Sequence, residues 1–309
     1  MRGVATAART LPRSRRPADW AAVLALAVYA LAVAALVATP IARQVAALRG
    51  GPPESVPLFA SLPERAQQLV LAPKRNVSSE RSPHIHRDWR LIGGVGVHVV
   101  TVNPEGENVQ IVIGLAQGTV LSEGVFGREG FGNMVRRLRP RVAIDGTYFH
   151  LRNSEPVGSL VMEGVMVYDG LCSSALVVTE EGDVHIEHHG AIMGRYAGWP
   201  RDVRTALCSG PTLVSHGQVH LNPYDEGFGD PALFSVARRS AVGVTPEGKL
   251  LLVVVETPIT WNKLANIMLQ LGVVEAMNLD GGGSTALYSN GEFIATPTRP
   301  LTNLLMVYD

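Results

Sequence analysis

The chain has 309 residues, 46% apolar and 17% charged, with 27 Lys and Arg against 27 Asp and Glu. That is enough apolar chain for one large folded domain with appendages. A formal net charge of zero argues against a nucleic-acid-binding protein, which carries a basic stripe, so no nucleic-acid partner is expected.

The basic residues gather at the front, where Arg2, Arg9, Arg13, Arg15 and Arg16 stand against one acid, Asp19. Trp20 then opens an uncharged apolar run through Ala38, with Pro40 beyond it. About 19 residues suffice to cross the hydrocarbon core as a helix. Trp20 is an interfacial aromatic at the basic end. The pattern predicts a cytosolic segment over 1–19 and a transmembrane signal anchor over 20–39. Everything later would then lie outside, in a periplasmic or extracellular space. The rival is a cleaved signal peptide, but its apolar region is usually shorter and no small-x-small cleavage site follows.

Residues 40–88 read as a flexible tether, broken by Gly50-Gly51-Pro52-Pro53, Pro57, Pro63, Pro73 and Pro83. Apart from a short helix over 62–71, the stretch has no sustained periodicity. Asn76-Val77-Ser78 is a glycosylation sequon by pattern.

From 89 to 309 the runs are short and β-like. Strands are predicted over 95–102, 109–115, 141–144, 160–162, 165–168, 175–179 and 184–187. Further strands follow over 241–245, 250–256, 273–279, 285–288, 293–295 and 304–308. Glu163-Gly164, Glu180-Glu181-Gly182-Asp183 and Pro246-Glu247-Gly248-Lys249 mark hairpins. The almost wholly apolar run 250–255 predicts a central strand covered on both faces. Helices are predicted over 131–138, with Arg136 and Arg137 outward, and over 261–271, stopped by Gly272. Many strands and few helices indicate an α+β domain on mixed or antiparallel sheet. Cys172 and Cys208 have no metal-site spacing, and the sequence leaves a disulfide and two free thiols both open.

One stretch carries chemistry more plainly than the rest: Ala276-Met277-Asn278-Leu279-Asp280-Gly281-Gly282-Gly283-Ser284-Thr285-Ala286-Leu287. Three glycines cost backbone entropy and pack nothing, so they fit a sharp bend or a close approach to a ligand. Their N–H groups can form an anion-binding nest, with Asp280 as a fixed charge and Ser284 and Thr285 as hydroxyl donors. The plain alternative is a tight turn capped by Asp280.

This segment resembles the Asn-Leu-Asp-Gly-Gly-Gly-Ser signature of the phosphodiester glycosidase family. Four further blocks resemble that family in the same order. They are Val142-Ala143-Ile144-Asp145-Gly146-Thr147-Tyr148-Phe149, Gly158-Ser159-Leu160-Val161, Ser209-Gly210-Pro211-Thr212-Leu213-Val214 and Arg239-Ser240-Ala241-Val242-Gly243-Val244. The resemblance covers roughly residues 90 to 309 and implies hydrolysis of a sugar 1-phosphodiester at the sugar–oxygen bond. The substrate would be a sugar phosphodiester or a phosphorylated glycan of the cell envelope.

Such a reaction needs a carboxylate to attack the anomeric carbon or to activate water there. It also needs cations or N–H donors for the phosphate. Asp280 is the first choice, Glu256 at the end of the most apolar strand the second, and Asp145 before Gly146 the third. If Asp145 and Asp280 share a cleft, their repulsion should raise one pKa. Arg239 is expected to clamp the phosphate bidentately, with Arg238 on the opposite face of its strand. Asn278, Gly281, Gly282, Gly283, Ser284 and Thr285 would add donors, and Tyr148 would stack on or hydrogen-bond the sugar. Asp145, Arg239, Glu256, Asp280 and the glycine turn should then line one pocket. Each residue also has a plain structural reading: a capping Asp, a salt-bridged Arg, a core Tyr. The histidines His185, His188 and His189 alternate along a strand and read as solvated, as do His84 and His86, so neither metal nor cofactor is expected.

One departure stands out. The family usually has Asn-Gly where this chain has Asp145-Gly146, and an ionised carboxylate cannot donate and would repel a phosphate. The expected activity is a membrane-tethered glycosidase outside the cytosol. The alternative is a non-catalytic envelope module that binds phosphorylated glycan. A nucleotide enzyme is weaker, since neither a Walker pattern nor a dinucleotide fingerprint is present.

Overall fold

The computed structural model describes residues 82–106, 108–120, 124–189 and 202–309. The apolar run at 20–38, the sequon at Asn76 and most of the tether lie outside them. Among the described residues no helix is long and apolar enough to cross a membrane.

The strands in chain order are β1 (Ile85–Ile92), β2 (Val95–Val102), β3 (Gln110–Leu115), β4 (Val142–Asp145), β5 (Leu160–Met162) and β6 (Val165–Tyr168). Next come β7 (Ser174–Thr179), β8 (Val184–His188), β9 (Val203–Ser209), β10 (Thr212–Ser215), β11 (Gln218–Val219) and β12 (Ala237–Val244). The last are β13 (Leu250–Ile259), β14 (Glu275–Gly281), β15 (Leu287–Ser289), β16 (Glu292–Ala295) and β17 (Asn303–Tyr308). Two α-helices join them, α1 (Phe131–Leu138) and α2 (Trp261–Gln270). The first strand starts at Ile85, inside the stretch read from sequence as tether.

The strands form three sheets: β1-β2-β13-β12-β14-β10-β11, β16-β15-β4-β17-β3 and β6-β5-β9-β7-β8. Every ladder between these strands is antiparallel. Of the two sheet types expected, the antiparallel one is therefore found. It follows from short turns such as Gly164 and Gly248, whose positive φ closes hairpins between strands adjacent in sequence.

One apolar core draws side chains from all three sheets. The run 250–255 shows how. Leu250, Leu252 and Val254 enter that shared core, while Leu251, Val253 and Val255 enter a second core under α2. Burying each such side chain contributes roughly 1.5–3 kcal/mol. Thr260 caps α2 by accepting from the Lys263 amide at 3.2 Å, and Gly272 follows the helix at φ +85°. Helix α1 covers the outer face of the second sheet with Phe131, Met134, Val135 and Leu138. Arg137 does not point outward as expected. It pairs with the buried Glu129 at 2.5 Å and donates to the Leu115 carbonyl.

Cys172 and Cys208 form a disulfide across 36 residues, which settles the question the sequence left open. Closing a loop of that length removes about 3–4 kcal/mol of unfolded-state entropy. Reduction, or replacement of both cysteines by Ser, should lower the melting temperature accordingly. Calorimetry with and without reductant checks this, and an unchanged melt would contradict it.

Candidate active site

The site is built where two sheets meet end to end. Asp145 is the last residue of β4 in the second sheet, and Asp280 lies near the end of β14 in the first. The Asp280 amide donates to the Gly146 carbonyl at 3.0 Å, which ties the two strand ends together. Asn303 of β17 holds the turn between them. Its Oδ1 accepts from the Thr147 amide at 2.8 Å, and its Nδ2 donates to the Thr147 carbonyl at 3.3 Å. A Cβ at Gly146 would fall 1.9 Å from that Oδ1, so no other residue fits. Gly146→Ala should therefore cost about 3 kcal/mol through overpacking and disorder the turn. A denaturant midpoint equal to the wild type's would contradict this.

Asp145 is 1% exposed. Its Oδ1 accepts from the Ser240 hydroxyl at 2.7 Å and from the Ala286 amide at 2.9 Å, while its Oδ2 has no partner among the described residues. Burial holds its pKa well above the ordinary value, and the nearby Asp280 charge adds to the rise. Asp280 accepts from the Gly281 amide at 2.8 Å. Burial raises its pKa too, opposed by the Ser284 hydroxyl, the Gly281 amide and the Arg299 charge. The Asp280 charge is near enough to act on Asp145, but loss of water moves both carboxyl groups more than repulsion does.

Asn278 and Tyr148 complete the wall. Asn278 Nδ2 donates to Tyr148 Oη at 2.6 Å, and that hydroxyl donates to the Gly210 carbonyl at 2.9 Å. Tyr148 lines a narrow cavity of about 20 Å³ with Thr147, Gly158, Ser173, Ser209 and Phe228, room for about one water. Thr147 Oγ1 and Ser209 Oγ on its lining, and Asn278 Oδ1 beside Tyr148, are buried without a partner among the described residues. Buried polar atoms are normally paired, so such a group marks a place for water or a hydroxylated ligand.

The glycine turn leaves β14 as a one-turn 3-10 helix, Gly282–Ser284, with Gly282 at φ +57°. A Cβ at Gly283 would meet Arg299 Nε and Thr298 Oγ1, each at 2.9 Å. The glycines thus let the Arg299 guanidinium lie directly on the turn, beside Asp280. Sequence reading missed Arg299, which follows the last hairpin and reaches the turn only through the fold. The one local signal is the segment Thr296-Pro297-Thr298-Arg299-Pro300, a rigid loop carrying a single cation.

Two predicted residues are placed differently. Arg239 pairs in register with Gly281, yet the residue is 4% exposed and its guanidinium is turned toward α2. It donates to the carbonyls of Ile259, Leu233 and Ser235 and lies 5.0 Å over the Trp261 ring. Arg238 takes the opposite face, as alternation requires, and pairs with Glu256 at 2.9 Å. Glu256 does not end its strand, since β13 runs on to Ile259. It stands half-exposed and paired with Arg238, away from Asp145 and Asp280 in its partnering.

His188 is not solvated. It bonds Glu275 at 2.5 Å and Ser174 at 3.0 Å and lines a cavity of about 450 Å³ with Thr212, His216, His220 and Glu226. Neither Asp145, Asp280 nor the glycine turn borders that cavity. Among the described residues no group of three or more His, Cys, Asp or Glu is arranged to hold a metal ion.

The sequence profile of one protein family, described as phosphodiester glycosidase, matches residues 139–308. A mouse N-acetylglucosamine-1-phosphodiester alpha-N-acetylglucosaminidase is 25% identical over 175 residues, which is 51% of this chain and 33% of the mouse protein. The chain thus spans about a third of that relative's length. The zebrafish enzyme of the same name, a catalytic domain auto-inhibited by its pro-peptide, has a similar structure. It has a TM-score of 0.59 and 18% identity, covering 76% of this chain and 87% of that one. A hypothetical protein from Synechocystis gives a TM-score of 0.54 at 19% identity, covering 72% of this chain and 61% of that one. At such identities the structural likeness concerns the fold.

Proposed function

This chain belongs to the phosphodiester glycosidase family, and from that premise we propose that it hydrolyses the sugar–oxygen bond of sugar 1-phosphodiesters in a glycan outside the cytosol. On this reading the run at 20–38 anchors it to the membrane. One observation carries the chemistry: a half-buried carboxyl, Asp280, stands beside a glycine turn on which a guanidinium, Arg299, rests.

The roles follow from charge. Asp280 in its ionised form attacks the anomeric carbon or takes a proton from the water that does. The bond from that carbon to the bridging oxygen breaks, and its electron pair leaves with the phosphate monoester. Arg299 meets the negative charge that grows on the phosphate. Gly282 and Gly283 let the phosphate approach the backbone. Tyr148, half-buried, is the part of this wall that can meet the sugar, and the buried Asn278 holds its hydroxyl in place. Arg239 supports this wall from behind, and Glu256 has no part in the chemistry.

The decisive experiment uses the full chain, N-acetylglucosamine 1-phosphate esters of simple alcohols, and water labelled with oxygen-18. The label is expected in the released sugar. Label in the phosphate would mean cleavage at phosphorus and would overturn the reading. Arg299→Gln should raise KM about 10–100-fold, with partial recovery in Arg299→Lys, because Lys restores the charge but not the fork. Equal KM values in all three proteins would remove Arg299 from the phosphate site.

A further inference from the structure

The loop that carries Arg299 has few backbone bonds of its own. Pro297 and Pro300 have no amide hydrogen to donate. At its middle the Thr298 amide donates to the Gly283 carbonyl at 2.8 Å, and just past its far end Leu301 and Glu129 exchange two backbone bonds of 2.9 Å. At its near end Arg238 Nη1 donates to the Thr296 carbonyl at 3.1 Å. The same guanidinium donates through Nη2 to Glu256 Oε2 at 2.9 Å. Its fork thus joins β13 of the first sheet to the loop that leaves β16 of the second.

The sheet is irregular on both sides of Arg238. Between Ala237 and Arg239, β12 advances two residues while β13 spans four, from Ile259 to Val255, and Glu256 lies in that longer stretch. Between Arg239 and Ala241, β12 again advances two while β14 spans three, from Gly281 to Asn278, and Asp280 lies in that stretch. Breaks of this kind re-aim side chains and cluster beside active sites. Here the Arg238 carbonyl also backs the glycine turn, since a Cβ at Gly281 would stand 3.0 Å from it. One residue therefore touches both supports of the site. Its backbone lies against the turn after Asp280, and its side chain holds the loop that presents Arg299.

We propose that the Arg238–Glu256 pair positions Arg299, by holding its loop against the glycine turn before substrate arrives. A guanidinium already in place has little freedom left to lose when a phosphate binds it. The inference rests on the function proposed above and adds two positioning residues, which act through Arg299 and not on the substrate. A planar fork suits the task, because one group must reach a carbonyl and a carboxylate in a fixed geometry, and an ammonium cannot. The Arg238 side chain is 21% exposed and that of Glu256 45%. An ion pair so open to water contributes little to stability, so its effect on Arg299 can be separated from any effect on folding.

The test uses the full chain and the N-acetylglucosamine 1-phosphate esters named above. Arg238→Met should leave the thermal melt nearly unchanged while hydrogen exchange at the Thr298 amide, followed by NMR, speeds up about tenfold. KM should rise about tenfold, with a smaller change in kcat, and Arg238→Lys should recover part of the loss. In the Arg299→Gln background, Arg238→Met should change KM by less than about twofold, because the residue it positions is gone. Glu256→Ala should reproduce the pattern at smaller size. Wild-type exchange at Thr298 in both Arg238→Met and Glu256→Ala would overturn the proposal. Equal KM effects with and without Arg299 would do the same. If no ester is cleaved, the proposed reaction falls, and exchange at Thr298 alone decides whether the pair holds the loop.

Discussion

Asp280→Asn is expected to lower kcat about 10³–10⁴-fold while the protein folds as before. Asn keeps the shape, and its Oδ1 still accepts from the Gly281 amide. What it loses is the charge that either attacks the anomeric carbon or takes water's proton. Losing this half-buried charge should not destabilise the domain, since loss of water already works against it. The thermal melt should therefore match or exceed the wild type's. The wild-type pH profile supplies a second check. A base must be deprotonated to act, so activity falls on the acid side. That fall should lie at higher pH than for a solvent-exposed Asp, because burial raises the Asp280 pKa. An Asp280→Asn protein that turns over normally would instead favour a module that binds phosphorylated glycan without cleaving it.

The fold was legible wherever a strand's own residues reported both of its neighbours. The run 250–255 is apolar on both faces because both faces are buried, and its hairpin partner β12 was read with it. Strand β1 was not legible. As an edge strand it pairs only with β2, and Trp89 and Leu91 stay exposed beside charged residues, so no alternation marks it. Strand β9 is interior to its sheet, yet Arg204 and Thr205 interrupt its apolar run. Arg204 is tolerated through its pairing with Glu163 at 3.2 Å.

The site divides along the same line. Asp145, Tyr148, Asn278 and Asp280 lie in continuous stretches where glycines and polar residues follow an apolar strand, and that break in the pattern made them candidates from local sequence. Arg299 and Asn303 act across the fold, on the turns after Asp280 and Asp145; the proline-flanked loop marks Arg299 locally, but nothing in the sequence names the turn it reaches, and nothing local marks Asn303. Arg239 and Glu256 show the opposite failure. Each is a charge on or near an apolar strand, where a functional cleft and a structural partner look alike. Three carbonyls and Trp261 take Arg239, and Arg238 takes Glu256.

Asp145→Asn should leave the enzyme active and change how its stability depends on pH. The buried Asp145 carries a proton over a wider pH range than an ordinary Asp, because burial raises its pKa. In that neutral form Oδ1 accepts from Ser240 and Ala286, and a proton on Oδ2 makes that atom a donor. Asn offers the same acceptor and the same donor, so the departure from the usual family residue is chemically small while Asp145 stays protonated. The sign of the linkage follows. Above the unfolded pKa the unfolded chain releases this proton while the folded chain keeps it. The folded state then binds more protons, and stability falls as pH rises from the unfolded pKa through the raised folded one. Asp280 adds a loss of the same sign, but it is present in both proteins and cancels in the comparison. Asp145→Asn should therefore melt higher than the wild type at neutral pH, and the gap should close toward pH 4. Each kcal/mol is worth about 2–4 °C in a domain of this size. Its activity should also hold to higher pH, since the amide cannot ionise and repel the phosphate. Melting curves and kcat/KM from pH 4 to 9 measure both effects. Parallel melting curves across that range would mean that Asp145 is already ionised in the folded protein, and the donor assigned to its Oδ2 would then be lost.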